Sequence, residues 1–337
     1  MHGEPKSKSE VLKLTSGTLT EADARALLER RRWPNGVACL YCGALEPYRI
    51  EVKASVRKNG RMVNARQLFA CRECKRQFSV TKGTIFEDSK IPLRTWIMVI
   101  YRIVASKKGV SAHQIHREFG VSYESAWFMC HRIRYAMQRD KDQLLSGTIE
   151  ADETYVGGKT RRGHPVAFHE RMKIELEAKG LTAHQHIKGK RHPRMEKAVV
   201  FGILERGGKV RTMHVSETSG KTLRPILTDN IDLANSRLMT DGHAAYRGIK
   251  KHLLHDVIDH ELEYVRGNVH TNGIENYWSL LKRGIVGTFH HVGRDHLPCY
   301  LDEFEFRFNR RKVSDADRFY DLLGNVEGRL AWYLQPS

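Results

Sequence analysis

Apolar residues return at helical spacing over Leu93 to Ser106, where Trp96, Ile97, Ile100, Tyr101 and Val104 share a face and predict a core helix. Upstream, the Ala/Leu/Arg-rich stretch Glu21 to Arg32 predicts a shorter helix, capped by Thr20 and stopped before Trp33-Pro34. Downstream, Ser111 to Phe119, the Gly120-Val121 break and Ser122 to Met137 read as short helix, glycine turn and longer helix, which is a helix-turn-helix pattern. On its second helix Tyr123, Glu124, His131, Arg132 and Arg134 are expected on the exposed face, where side chains reach base edges and phosphates. Trp127 and Cys130 sit in the same apolar run and read as core, as Cys299 does further on.

Strand-like segments fill the gaps. Tyr48 to Val56, an Asn59-Gly60 turn and Met62 to Ala70 predict a β-hairpin. Beyond a charged linker, Gln138 to Gln143, the outline is strand (Thr148 to Val156), strand (Ala198 to Glu205), a Gly207-Gly208 turn and strand (Lys209 to Val215). A helix (Lys221 to Asn230), a strand (Ser236 to Thr240) and a helix (Ala244 to Leu254) follow. An antiparallel opening followed by alternating strands and helices predicts a mixed α/β sheet. A C-terminal helix is expected around Phe319 to Tyr333.

Charge narrows the partner. The formal net charge is +18, and 40% hydrophobic residues suffice for an ordinary core, so the excess belongs to a folded protein with an anionic partner. A membrane surface and nucleic acid would both answer that charge. The most apolar stretch, Trp96 to Val104, is interrupted by Arg102 and falls short of the roughly 20 residues a span needs. Met1 to Glu10 lacks the apolar stretch of a signal peptide, so a cytoplasmic, reducing setting is expected. There, paired cysteines hold metal. Cys39-x-x-Cys42 and Cys71-x-x-Cys74, joined by the hairpin, supply two thiolates per tight turn and predict a structural Zn²⁺ site. Residues 159–197 hold eleven Lys or Arg against four Glu, with a short exposed helix expected at Glu170 to Lys179; beside an active strand such a segment would track phosphates.

Three acids stand out by placement. Asp152 shares a strand face with Glu150, Thr154 and Val156, opposite Ile149 and Ala151. Asp241 follows the strand that ends at Thr240, and Glu275 opens a helix, Ile274 to Arg283, with Lys282 seven residues on along the same face. Taken singly, each is also explained as an exposed strand charge, a turn residue or a helix N-terminal acid. Together, strand, strand end and helix can converge. Convergent carboxylates suit hard divalent cations, and two such ions can serve an in-line phosphoryl displacement with Lys282 as phosphate clamp.

The segments Gly147 to Lys159, Thr240 to Tyr246 and His270 to Gly284 resemble the DDE transposases of bacterial insertion sequences, and more narrowly the ISXO-like group. Lys82 to Phe86, His290-His291-Val292 and Phe304 to Arg311 resemble that group as well. The resemblance implies an RNase H-like catalytic domain preceded by a small zinc ribbon and a helical DNA-binding region. It makes Asp152, Asp241 and Glu275 the carboxylates for Mg²⁺ or Mn²⁺, with Lys282 the accompanying basic residue. Because related elements vary at the third acid, Asn272 and Asn276 stay as alternates, with Glu150 and Glu153 behind them. The group's pattern also favours a helix over a strand for the alternating Phe304, Phe306 and Phe308.

The expected organisation is an N-terminal helical segment (1–34), a zinc ribbon (35–80) holding zinc through Cys39, Cys42, Cys71 and Cys74, a helix-turn-helix region (81–140), an RNase H-like domain (147–312) and a C-terminal helix (313–337). The expected function is a transposase that nicks element ends and joins their 3′-OH to target DNA. Its partners would be the terminal inverted repeats, target DNA and a second copy of the chain, associated with the bacterial nucleoid and with no membrane. The rival readings are a non-catalytic DNA-binding regulator derived from a transposase and a stand-alone metallonuclease.

Overall fold

In a computed structural model of the 337-residue chain, residues 13–53, 55–56, 62–63, 66–138, 143–157, 197–246, 254–258 and 269–328 are described. The Asn59-Gly60 turn, the helix expected at Glu170 to Lys179 and the basic stretch up to position 196 lie outside them. The chain divides into two compact units, residues 1–138 with 310–337, and residues 139–309.

The first unit opens with α1 (Glu21–Arg32), whose Thr20 and Asp23 cap each other reciprocally, satisfying two of the amides a helix start leaves open. A three-stranded antiparallel sheet follows in the order β1 (Tyr48–Val52), β4 (Arg66–Ala70), β5 (Gln77–Phe78); the short pair β2 (Ser55–Val56) and β3 (Met62–Val63) extends the hairpin. Then come α2 (Leu93–Ala105), which buries Trp96, Ile97, Ile100 and Val104, and the pair α3 (Ala112–Phe119) and α4 (Tyr123–Ala136). Gly120 joins the pair at φ +67°, a left-handed conformation open to glycine at little cost.

The face expected on α4 is corrected. Tyr123 and Glu124 are exposed, but His131, Arg132 and Arg134 are buried at 0, 5 and 3% exposure. Arg132 donates from Nη1 to the carbonyls of Ile85 (2.7 Å) and Glu87 (2.8 Å), and its guanidinium lies over the Phe128 ring. A buried cation is tolerated where carbonyl oxygens replace its water. Those carbonyls come from about 45 residues upstream, so no local pattern in α4 announces them.

The second unit is a five-stranded sheet, with strands in the order Leu254–Val257, Ile231–Thr240, Leu145–Val156, Ala198–Glu205 and Val210–Val215. β6 (Leu145–Val156), β7 (Ala198–Glu205) and β8 (Val210–Val215) form an antiparallel meander, while β9 (Ile231–Thr240) runs parallel to β6 and β10 (Leu254–Val257) parallel to β9. α5 (Gly220–Asn230) covers one face over Ile149, Ala151, Phe201 and Ile203. α6 (Asn272–Gly284) and α7 (Leu297–Asn309) cover the other over Val200, Leu204 and Val210. α7 also shields the sheet's free edge: Asn309 bonds both the amide and the carbonyl of Val210, and Glu305 accepts from the Thr212 amide. Phe304 and Phe308 lie one helical turn apart, which is how an alternating Phe pattern serves a helix.

Most of the helix expected over Ala244 to Leu254, residues 247–253, lies outside the described residues. Ala244–Tyr246 is a single 3₁₀ turn that buries Tyr246 against the sheet, and Leu254 opens β10, paired with Arg237. The chain then returns to the first unit, where α8 (Asp315–Leu323) packs on α2 and Glu327 forms a β-bridge with Thr84. That helix stops at Gly324, so the one expected from Phe319 onward begins earlier and ends earlier. No described helix is long and apolar enough to cross a membrane.

Candidate functional site

Each cysteine pair sits in a tight turn that the sequence builds locally. In the first, Gly43 takes φ +76° and donates its amide to the Cys39 carbonyl (3.0 Å), while the Cys39 amide bonds the Ala44 carbonyl (2.8 Å). In the second, Lys75 takes φ +59° and the Cys71 amide bonds the Arg76 carbonyl (3.0 Å). β1, which follows the first turn, pairs with β4, which leads into the second, with Tyr48 opposite Ala70, and so brings the turns together. The Sγ separations are 3.6 Å for Cys39–Cys74 and 3.5 Å for Cys42–Cys71, and all four sulfurs lie within 4.8 Å of one another. Four thiolates around one Zn²⁺ at about 2.3 Å stand about 3.8 Å apart, so the cluster fits a tetrahedral zinc site. Phe69 and Phe78 stack beneath it, with Trp33 edge-on to both.

The acids gather where the sheet is incomplete. β6 pairs with β7 as far as Val156 but with β9 only as far as Glu150, opposite Met239. Past that point no described strand pairs with β6 on its β9 side, and Asp241 follows the end of β9 there. One oxygen each of Asp152, Glu153 and Asp241 comes within 4.8 Å of the other two. Asp152 faces α6 and accepts from the Trp278 indole Nε1 (2.9 Å) and from the Glu153 amide (2.8 Å). Burial pushes its carboxyl up to about 6, opposed by those two donors and reinforced by the Asp241 and Glu275 charges. Burial likewise drives Glu153 up to about 7, with the Tyr246 hydroxyl opposing and Asp241 and Asp152 adding. The Asp241 Oδ1 accepts from the His243 amide (3.1 Å), which fixes the turn after β9.

Glu275 stands outside that set of three. It is exposed on the first turn of α6, accepts from the Thr271 hydroxyl (2.8 Å), and is near enough for its charge to reach Asp152. Lys282 is exposed on the last turn, about 10 Å along the axis from Glu275.

Glu150 does something different. It is fully buried and holds the start of α6: its Oε2 accepts from the Ile274 amide (2.9 Å), in a helix whose N-cap residue, Thr271, turns its hydroxyl to Glu275 and caps no backbone amide. Its Oε1 accepts from Arg206 Nε (2.8 Å), and Arg206 also donates to the His270 carbonyl (3.0 Å). Gly273 is required at this contact, because a Cβ there would lie 2.7 Å from Glu150 Oε2 and 2.6 Å from Leu204. The network sets where Glu275 emerges. Arg206 escaped sequence reasoning; it adjoins the Gly207-Gly208 turn but its role depends on strand pairing. Glu153 stands among the alternate acids of the sequence, but strand alternation puts it on the face opposite Asp152, and nothing local shows that the two meet past the Glu150–Met239 pair.

Compared with known families, residues 144–309 match the ISXO2-like transposase domain and residues 19–77 match the transposase zinc-ribbon domain. A Halobacterium salinarum protein, described as an uncharacterized protein in transposable element ISH50, is 29% identical over 296 residues, 86% of this chain and 91% of its own length. A Haemophilus influenzae protein, described as an uncharacterized transposase-like protein, is 29% identical over 107 residues, 32% of this chain and 85% of its own.

Proposed function

The chain belongs to the ISXO2-like transposases that carry a zinc ribbon, and on that premise we propose that it is a DDE-type DNA transposase, which cuts insertion-sequence ends and joins them to target DNA. The observation that carries this reading is the meeting of Asp152 and Asp241, 89 residues apart, at the open end of the sheet within the matched domain. A three-strand meander with two strands parallel to its first member supports an RNase H-like assignment.

Asp152, Asp241 and Glu275 would hold Mg²⁺ or Mn²⁺; such ions, when bound, lower the pKa of an attacking hydroxyl and stabilise the leaving oxygen in phosphoryl transfer. The chemistry of the site fits them, since carboxylate oxygens suit hard cations. Nicking is attack of water on a phosphodiester with departure of the 3′ oxygen. Joining is attack of that freed 3′-OH on a target phosphodiester with departure of the target's 3′ oxygen. The protein supplies no covalent nucleophile. Trp278 fixes the Asp152 rotamer, the Glu150–Arg206 pair fixes α6, and Lys282 meets a DNA phosphate. The zinc ribbon, and α3 and α4 as a helix-turn-helix with Tyr123 and Glu124 at its exposed start, read the terminal repeats. Two copies of the chain hold the two ends.

A strand-transfer assay with labelled element ends and Mg²⁺ tests this. Nicked and joined products are expected from the wild type and neither from Asp152→Asn or Asp241→Asn. A wild type no more active than these variants would leave a DNA-binding regulator, and cutting without joining would leave a nuclease.

A further inference from the structure

Neighbouring residues on a strand point to opposite faces, so Asp152 and Glu153 would be parted in the middle of a sheet. Here they are not. β9 stops beside Glu150, and past that stop side chains from both faces of β6 reach around to Asp241. Asp152 comes from the face that carries α6, Glu153 from the face that carries α5 and Tyr246.

Among the described residues no lysine or arginine compensates Glu153. Its side chain is only 8% exposed, and its Oε1 is buried with no hydrogen-bond partner among the described residues. Among the described residues the basic group within ion-pair range is His243, at 3.9 Å and itself half exposed. The Tyr246 side chain, 1% exposed, directs its hydroxyl to the same cluster. Glu150, three residues earlier, shows how this fold treats a buried glutamate that must be neutralised internally: it has an arginine and a helix amide. Glu153 has neither, and faces two other carboxylates. Uncompensated buried carboxylates around one point are stabilised by a hard cation.

We propose that Glu153 is a metal-binding carboxylate that shares one seat with Asp152 and Asp241, reaching it from the opposite face of β6. This rests on the transposase reading of the site and adds to it a ligand that the Asp, Asp, Glu pattern omits. In the DNA-free protein the seat is these three residues, and Glu275 lies beside it.

The test is metal binding by the full-length, zinc-loaded protein without DNA. Mn²⁺ affinity is read by electron paramagnetic resonance of the free ion, and the number of waters on bound Tb³⁺ by luminescence lifetimes in H₂O and D₂O, with Trp278 as the nearby sensitiser. Glu153→Gln is expected to weaken Mn²⁺ at least tenfold and to add about one Tb³⁺-bound water, because a neutral amide replaces a charged ligand. Glu153→Asp should fall between. Circular dichroism and zinc content check that each variant is folded. The inference is overturned if Glu153→Gln binds Mn²⁺ within twofold of wild type, with an unchanged water count, while Asp152→Asn has lost it. Wild-type binding in Asp152→Asn as well would overturn the transposase reading together with it.

Discussion

Replacing Asp152 with Asn should make the metal-free protein more stable at pH 8 while abolishing activity. Burial raises the Asp152 carboxyl from its ordinary 3.8 to about 6, so the folded state disfavours the ionised form. That penalty is absent below the unfolded value, grows as pH rises, and is complete above the folded value; at 1.36 kcal/mol per pH unit it reaches about 3 kcal/mol at pH 8. Asn removes the charge but has one oxygen where Asp152 uses two, for Trp278 and for the Glu153 amide. One lost bond takes back about 1 kcal/mol. The variant should therefore be more stable by about 2 kcal/mol at pH 8 and by only about 0.6 kcal/mol at pH 5. Urea unfolding of the zinc-loaded full chain, without added divalent cation and followed by tryptophan fluorescence, measures the gap. Added Mg²⁺ should narrow or reverse it by stabilising only the wild type. A gap that stays constant from pH 5 to 8, or a variant less stable than wild type at pH 8, would refute burial as the source of the raised pKa.

Three further outcomes follow from the packing. Cys71→Ser should lose most of the roughly one zinc per chain expected of a four-thiolate site, measured by metal analysis, and unfold the β1-β4-β5 sheet, because Cys71 is buried against Phe69 and Phe78. Arg206→Ala should lower stability by about 3 kcal/mol, read by urea unfolding, since it leaves the fully buried Glu150 without its counter-ion. Gly202→Ala would drive a Cβ to 2.4 Å from the Trp278 ring and should destabilise by about 1 to 3 kcal/mol, with a shift in tryptophan emission as Trp278 moves off Asp152.

Where side-chain periodicity is governed by a single buried face, the linear pattern was sufficient. α1 begins after Thr20, α2 begins at Leu93, and β7 spans Ala198–Glu205, each as the apolar spacing and caps require. The pattern failed where one segment depends on another far away. Arg132 reads as surface because it is charged, but carbonyls of Ile85 and Glu87 are there to receive it. Leu254 reads as the last residue of a helix, but it opens a strand because Arg237 of β9 is there to pair with it.

By itself the sequence determined the cysteine-bearing turns and the chemistry on offer: two Cys-x-x-Cys pairs 29 residues apart from Cys42 to Cys71, and acids at a strand, a strand end and a helix start. These are local facts, because a tight turn or a helix cap is made by residues a few positions apart. Which acids meet was decided only by tertiary structure. The early stop of β9 lets Glu153 join Asp152 across the plane of the sheet, and Arg206 with Glu150 fixes the helix that bears Glu275. Strand register and charge compensation are relations between distant segments, and they exist only once the chain has folded.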